Sequence, residues 1–388
     1  MTAFEAFRRP LRLGFIGGAA PSMIGQVHRR AATMDRCFEV VAGALSRDAE
    51  RGRDAAAEYG IDRTRAYATP QEMFTRESTR PDGIEAVAIV TPNDLHHVQA
   101  LAAIASGLDV MVDKPMANSV VEAESVLRAA AAAGVTVCVA HAYAGYPMLR
   151  EARSLVHSGR IGALRMLQVE YFGAGLALPV EQAPDAARRW RLDPARSGPS
   201  LVLGDIGTHA HHLACYVTGE SIATISAEVG TLMPGRRVQD YAQARFHLAG
   251  GARGSMVLCQ GAAGAENHIL LRVFGAEGHI EWRHVSHNEL RLAPVHGFPM
   301  TLTRGHVALS AAATRATRLR RTGHPEGLHE AFANLYCDFA ERAAARRLGL
   351  DADPLSEGMP DARAGLEGLR FVEAAILSAG RGGDWTDV

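Results

Sequence analysis

From Leu11 to about His141, short apolar runs alternate with stretches of helical periodicity. The runs Leu11–Gly17, Phe38–Leu45, Glu85–Val90, Asp109–Val112 and Val135–Ala140 have the length of buried strands. Between them, Gly25–Met34, Asp48–Tyr59, Leu95–Ser106 and Val120–Ala133 repeat their apolar positions as helices do. Strands alternating with helices predict a doubly wound α/β domain, a parallel sheet covered on both faces. The pattern then changes. A helix around Met148–His157 stops at Ser158-Gly159, a strand Ala163–Phe172 follows, and a loop rich in Pro and Ala leads to a helix beginning near Asp205. Strand-like runs at Ser221–Leu232, Asp240–Leu248, Gly254–Gln260, His268–Phe274 and His279–Arg283 come without intervening helices, which predicts an antiparallel sheet. Helices at Glu326–Ala345 and Asp361–Leu377 finish the chain, and the arginine-rich Ala311–Arg321 reads as a surface loop. The expected division is residues 1–141, a doubly wound α/β domain, and 142–388, an α+β domain with a large, mostly antiparallel open sheet.

Composition narrows the class of partner. The 388 residues are 47% hydrophobic and 21% charged, with a formal net charge of -1, as in an ordinary globular protein. No basic run or acidic tail favours nucleic acid or an anionic membrane surface, so small molecules are the expected partners. The five cysteines are far apart in sequence and form no CxxC pair; they read as small buried hydrophobes of a reducing compartment. The first ten residues lack an apolar signal core and no run approaches the ~18 apolar residues of a membrane helix. A cytoplasmic location is expected.

Of 41 lysines and arginines, Lys114 alone is a lysine. Arginine serves wherever charge suffices but does not exchange its proton at ordinary pH, so a lone lysine suggests a site that needs an amine. It stands in Asp113-Lys114-Pro115 at the end of an apolar strand, where α/β folds place their chemistry. The first strand runs into Gly17-Gly18-Ala19-Ala20-Pro21-Ser22-Met23-Ile24-Gly25. Glycines at a strand-to-helix turn admit a pyrophosphate to backbone amides, although the GxGxxG spacing is absent and Pro21 removes one donor. The second strand ends in Ser46-Arg47-Asp48, with Arg51 a turn later. Serine and arginines there suit a 2′-phosphate, while Asp48 suits ribose hydroxyls, so NAD and NADP both stay open. Thr91-Pro92-Asn93-Asp94-Leu95-His96 follows another strand end; Asn93 or Asp94 would cap the next helix, which leaves His96 to explain. In Gly204-Asp205-Ile206-Gly207-Thr208-His209-Ala210-His211-His212, helical spacing puts Asp205, His209 and His212 on one face. A carboxylate and two imidazoles suit acid–base chemistry; a zinc site lacks a fourth ligand, and packing alone remains the competing account.

These residues together resemble the Gfo/Idh/MocA (glucose-fructose oxidoreductase and inositol dehydrogenase) family over nearly the whole length. The landmarks are the Gly17–Gly25 turn, Thr91-Pro92-Asn93 with His96, Asp113-Lys114-Pro115 where the family has Glu-Lys-Pro, and Gly204–His209. Within the family, Ile24-Gly25-Gln26-Val27-His28-Arg29, Tyr146-Pro147-Met148, Trp190–Gly198 and His324-Pro325-Glu326-Gly327 resemble a branch acting on cyclic polyols, sugars or glycosides. The resemblance implies a Rossmann domain binding NAD or NADP through Gly17, Gly18, Ile24, Ser46, Arg47, Arg51, Thr91, Pro92, Asn93, His96, Asp113 and Lys114. It implies Lys114, Asp205 and His209 as catalytic groups, Tyr146, Trp190, Arg191, His212 and His324 at the substrate, no metal, and a homodimer or homotetramer. Ala19 and Pro21 depart from the branch's glycines, Ala142 from its asparagine and His212 from its aspartate, which bears on cofactor affinity and substrate choice. The implied reaction is reversible oxidation of a secondary ring hydroxyl. A glycosidase working by transient oxidation, and a non-catalytic dinucleotide regulator, are the alternatives on the same fold.

Overall fold

The computed structural model describes residues 1–182 and 190–388 and divides into two compact units. Residues 183–189, part of the expected Pro- and Ala-rich loop, lie outside the described residues.

The first unit is built on five parallel strands, β1 (Leu11–Gly17), β2 (Phe38–Ala44), β3 (Ala86–Val90), β4 (Asp109–Val112) and β5 (Val137–Val139), in the order β2-β1-β3-β4-β5. Every residue of β3, β4 and β5 is buried, as continuous apolar runs in a sheet covered on both faces should be. The chain passes from β1 to β2 on one side and returns to β3 on the other. Strand order therefore reverses between β1 and β3, and their carboxyl ends open the crevice where such sheets take ligands. A helix that periodicity alone does not announce, Pro70–Glu77, is set by local chemistry. The Thr69 side chain accepts from Glu72 N, Pro70 occupies the first turn, and Glu72 Oε2 accepts from Ala68 N.

This unit also contains Leu328–Leu366, so a single cut at 141/142 does not describe the division. The physical reason is the helix Leu328–Leu348, which packs on the helix Met23–Met34. Its Phe332 and Tyr336 meet the His28 ring edge-on, and Phe339 stacks on Phe38. Asn334 Nδ2 donates to Gly145 O at 2.8 Å. At the far end, the wholly buried Asp109 at the start of β4 accepts from Arg346 Nε (2.9 Å), Arg346 Nη2 (2.8 Å), Arg347 Nη2 (3.1 Å) and Thr136 N (2.9 Å).

The second unit holds nine strands: β6 (Leu164–Gly173), β7 (Ile222–Gly230), β8 (Tyr241–Leu248), β9 (Arg253–Cys259), β10 (Asn267–Gly275), β11 (Gly278–Arg283), β12 (Glu289–Pro294), β13 (Met300–Thr303) and β14 (Thr386–Asp387). Their order is β13-β12-β11-β10-β6-β9-β8-β7-β14, antiparallel except for the β6–β9 pair. Burial alternates along β8, the mark of a sheet packed on one face. The helices Pro147–His157 and Thr208–Thr218 pack together and against strands of this sheet. The strands β12, β13 and β14 extend it beyond what the apolar runs announced. Ala311–Arg321 is not wholly a loop: Ser310 caps a short helix, Ala311–Arg315, in which Ala313 is buried. Its alanines are small enough to seat it against the helix Pro147–His157, where Ser310 N donates to Glu151 Oε2 at 2.8 Å. Among the described residues, no helix is long and apolar enough to cross a membrane.

Removing one partner of a buried ion pair strands the other's charge at a cost of about 3–5 kcal/mol. Asp109→Ala is therefore expected to lower the urea midpoint with unchanged m-value, by a free energy of that size. A loss below about 1 kcal/mol would show that the two arginines hold the helix without it.

Candidate active site

At the crevice, Gly17 and Gly18 have φ of 78° and 90°, the left-handed region that favours glycine. Gly25, in the first turn of the helix Met23–Met34, approaches so closely that a Cβ there would lie 2.4 Å from Gly18 Cα. A Cβ on Gly17 would lie 2.8 Å from Thr91 Cγ2, so the ends of β1 and β3 are equally tight. Ser22 Oγ accepts from Gly25 N at 3.1 Å and caps the helix, and the Tyr59 hydroxyl donates to Gly18 O at 3.0 Å. The missing GxGxxG spacing is thus compensated in space. Three glycines leave a backbone cradle before a helix N-terminus with no acidic residue in its first turn, and this arrangement fits a dinucleotide pyrophosphate. Ile24 stands half-buried in that first turn.

Asp48 caps the helix Ala49–Tyr59, its Oδ1 accepting from Arg51 N at 2.9 Å, while Asp48 N donates to Ser46 Oγ at 3.1 Å. The Arg47 and Arg51 side chains are exposed at this corner.

Thr91 Oγ1 donates to Gln99 Oε1 at 2.7 Å, and Asn93 is buried in the turn that follows. The His96 ring is wholly buried, with Nδ1 2.7 Å from Pro115 O and Nε2 2.8 Å from Thr91 O. It joins the segment after β4 to the segment after β3. Asp113 N donates to Ile89 O, and Asp113 Oδ1 accepts from Lys114 N at 2.9 Å. Burial pushes the Asp113 carboxyl up, but the His28 imidazole and the charges of Lys114 and His96 outweigh it and bring it down to about 2. His28, part of the Ile24–Arg29 landmark but given no role from sequence, meets the Tyr336 hydroxyl through Nδ1 at 2.8 Å and faces Asp113 Oδ1 through Nε2 at 3.9 Å. Lys114 is half-buried, on a cis bond to the buried Pro115.

In the second unit, Leu203–Gly207 winds as a π-turn into the helix Thr208–Thr218. Thr208 N bonds to Leu203 O five residues back, so simple α-helical spacing does not hold through Asp205. Asp205 and His209 remain half-buried while His211 and His212 are buried. Asp205 Oδ2 accepts from Gln260 Nε2 at 2.7 Å, and the Tyr171 ring lies 6.5 Å from the His209 ring. Gln260, a polar residue ending a predicted strand, carried a signal that went unused. His212 stacks on Tyr216, and burial with the neighbouring His211 and Arg153 lowers it to about 3. Burial lowers His211 to about 4.

Tyr146 is buried beside Trp282, His284 and His287 with its hydroxyl 3.3 Å from His284 Nε2. Trp190 is half-buried with the Arg191 guanidinium 5.5 Å over its ring. His324 is exposed, and its carbonyl oxygen accepts from Arg304, which also pairs with the buried Glu326 at 2.8 Å. Among the described residues, no cluster of three or more His, Cys, Asp or Glu fits a metal ion.

Comparison with known proteins agrees with this geometry. Residues 11–141 match the oxidoreductase family with NAD-binding Rossmann fold, and residues 149–281 match the GFO/IDH/MocA C-terminal domain. Over 387 residues, 98% of this chain and 97% of the relative, the sequence is 35% identical to YfiI of Bacillus subtilis, an uncharacterised oxidoreductase. The chain belongs to the Gfo/Idh/MocA oxidoreductase family. Two solved structures of an inositol dehydrogenase homolog from Azotobacter vinelandii cover 98% of each chain. The NAD+ complex is 36% identical with a TM-score of 0.93, and the complex with NADH and myo-inositol is 35% identical with a TM-score of 0.90. Levoglucosan dehydrogenase of Pseudarthrobacter phenanthrenivorans is 26% identical over 313 residues, 73% of this chain and 76% of the relative. As a Gfo/Idh/MocA member, this protein is an NAD(P)-dependent oxidoreductase.

Gly25→Ala forces two backbones apart and is expected to weaken dinucleotide binding at least about tenfold and to destabilise the fold by about 1–3 kcal/mol. Titration calorimetry with NAD and NADP reads the first effect; unchanged affinity for both would remove the cradle from the binding site. The two buried histidines make a separate prediction. Unfolded, each titrates near 6.5; folded, His211 and His212 titrate near 4 and 3, so both stay neutral in the fold. Their neutral burial costs no stability above pH 6.5, and stability falls as pH drops through that value, by up to about 1.4 kcal/mol per histidine per unit. Melting temperature should therefore decline between pH 6.5 and 4, and His212→Phe should flatten that decline.

Proposed function

We propose that this oxidoreductase interconverts a secondary ring hydroxyl and the ketone in a cyclic polyol, sugar or glycoside. The observation that carries the reading is the placement of the sole lysine. Lys114 ends β4, the neighbour of β3 at the crevice, on a loop fixed by the Asp113 carboxylate and by His96 beneath Pro115. A nicotinamide dinucleotide, when bound, supplies the hydride acceptor or donor. Gly17, Gly18 and Ile24 would hold its pyrophosphate, Ser46, Arg47 and Arg51 its adenosine ribose, and Thr91, Pro92 and Asn93 would line the crevice.

The chain's own groups handle the proton. Lys114 donates a hydrogen bond to the substrate oxygen and stabilises it as it becomes an alkoxide. His209 takes the hydroxyl proton in oxidation and returns it in reduction. Asp205 orients that step from a carboxylate whose Oδ2 is fixed by Gln260. Asp113 keeps its negative charge at neutral pH, next to Lys114 in sequence. The substrate class draws on the relatives, one bound to myo-inositol and one named for levoglucosan, both ring compounds dense in hydroxyls. Trp190 with Arg191 offers an apolar face edged by donors, the combination that suits a sugar ring.

Lys114→Arg preserves charge but neither the compact ammonium nor its proton exchange, so kcat should fall at least about 100-fold with dinucleotide affinity within about threefold. His209→Asn should act similarly, and combining the two should cost little more than either alone, as for groups serving one step. The assay follows reduced-cofactor absorbance with NAD and NADP separately against inositols, aldoses and glycosides. Full turnover in Lys114→Arg, or effects of the two variants that multiply, would sink the assignment.

A further inference from the structure

We propose that Cys37 and Cys337 form a redox-sensitive pair that closes into a disulfide when the protein meets a hydroperoxide. Separated by 300 positions, the two come together in the first unit with their sulfurs 3.2 Å apart. Cys37 precedes β2, and Cys337 lies on the helix Leu328–Leu348. A disulfide bond is about 2.05 Å long, so closure asks for an approach of roughly 1.2 Å. The pair sits at an open corner. Cys337 is half-buried, donates its S–H to Asp35 Oδ2 at 3.2 Å, and Asp35 and Arg36 are both exposed. Burial pushes the thiols of Cys138, Cys215 and Cys259 up, Cys215 to about 12, which leaves little thiolate at any of them.

The reaction balances as two thiols and one hydroperoxide giving a disulfide and two oxygen products, both water when the oxidant is hydrogen peroxide. The Cys337 sulfur attacks a peroxide oxygen, the O–O bond breaks, and the thiol proton passes by way of Asp35 to the leaving hydroxide. The Cys37 sulfur then attacks the Cys337 sulfur, the S–O bond breaks, and the second hydroxide leaves with the Cys37 proton. Both sulfurs are oxidised and the peroxide is reduced. Cys337 follows Tyr336 in sequence; the Tyr336 hydroxyl meets His28, and His28 faces Asp113 beside Lys114.

The test uses the full chain and reads covalent structure, independent of turnover. After exposure to hydrogen peroxide, the protein is unfolded in urea with iodoacetamide present, which blocks every free thiol, and unreduced peptides are mapped by mass spectrometry. The Cys37 and Cys337 peptides should appear joined, dithiothreitol should separate them, and the other three cysteines should be alkylated. Cys37→Ala should leave a sulfenic acid at Cys337 that dimedone captures, and Cys337→Ser should leave Cys37 alkylated. Alkylation of both Cys37 and Cys337 in the oxidised wild-type protein, or a cross-link through any other cysteine or a second chain, would overturn the proposal.

Discussion

Gly18 and Gly25 meet backbone to backbone, and the ligand-facing end of the first unit depends on that contact. It sets how closely the helix Met23–Met34 returns to the end of β1, and so where the helix's unsatisfied N–H groups point. Tyr59 then closes on the Gly18 carbonyl from the following helix. Gly17 allows β1 to end against Thr91 on β3, which brings the turn carrying Asn93 to the same edge. A regular glycine motif is one route to this arrangement. Here close approach is achieved with glycines at 17, 18 and 25, and with Ser22 supplying the cap.

The second unit uses burial in the opposite sense, to silence groups that would otherwise titrate. Four residues of one π-to-α segment carry acid–base side chains, yet His211 and His212 are pressed against Phe371 and Tyr216 and held neutral. Asp205 and His209 keep partial exposure, and the widened turn at Leu203–Gly207 falls at Asp205 itself. Such one-turn widenings are frequent at functional sites because they re-aim a side chain without breaking the helix.

How much of this was legible depends on range. The five strands of the first sheet showed as apolar runs because both faces are buried, and Lys114 showed because arginine had taken every other cationic position. The family's landmarks placed the dinucleotide turn and the Asp205–His209 segment. What stayed hidden rests on contacts distant in sequence or on irregular backbone. The pairing of Cys37 with Cys337 has no local signature, and the burial of His96, Tyr146 and His212 is not encoded in spacing. The π-turn defeated a face argument built on α-helical periodicity. Ala311–Arg321 looked like a loop because its apolar side chains, Leu319 apart, are alanines, whose small size is what lets a short helix seat there.

The return of Leu328–Leu366 to the first unit has a consequence for synthesis. When residue 145 leaves the ribosome, β4 already carries Asp109, but Arg346 and Arg347 do not yet exist. At about 5–20 residues per second, roughly 10–40 s pass before they arrive. Throughout that interval a carboxylate destined for burial lacks its guanidinium partners, and His28 and Phe38 lack the aromatic rings that will cover them. The nascent dinucleotide unit is thus completed late, by a segment more than 180 residues downstream of its sheet.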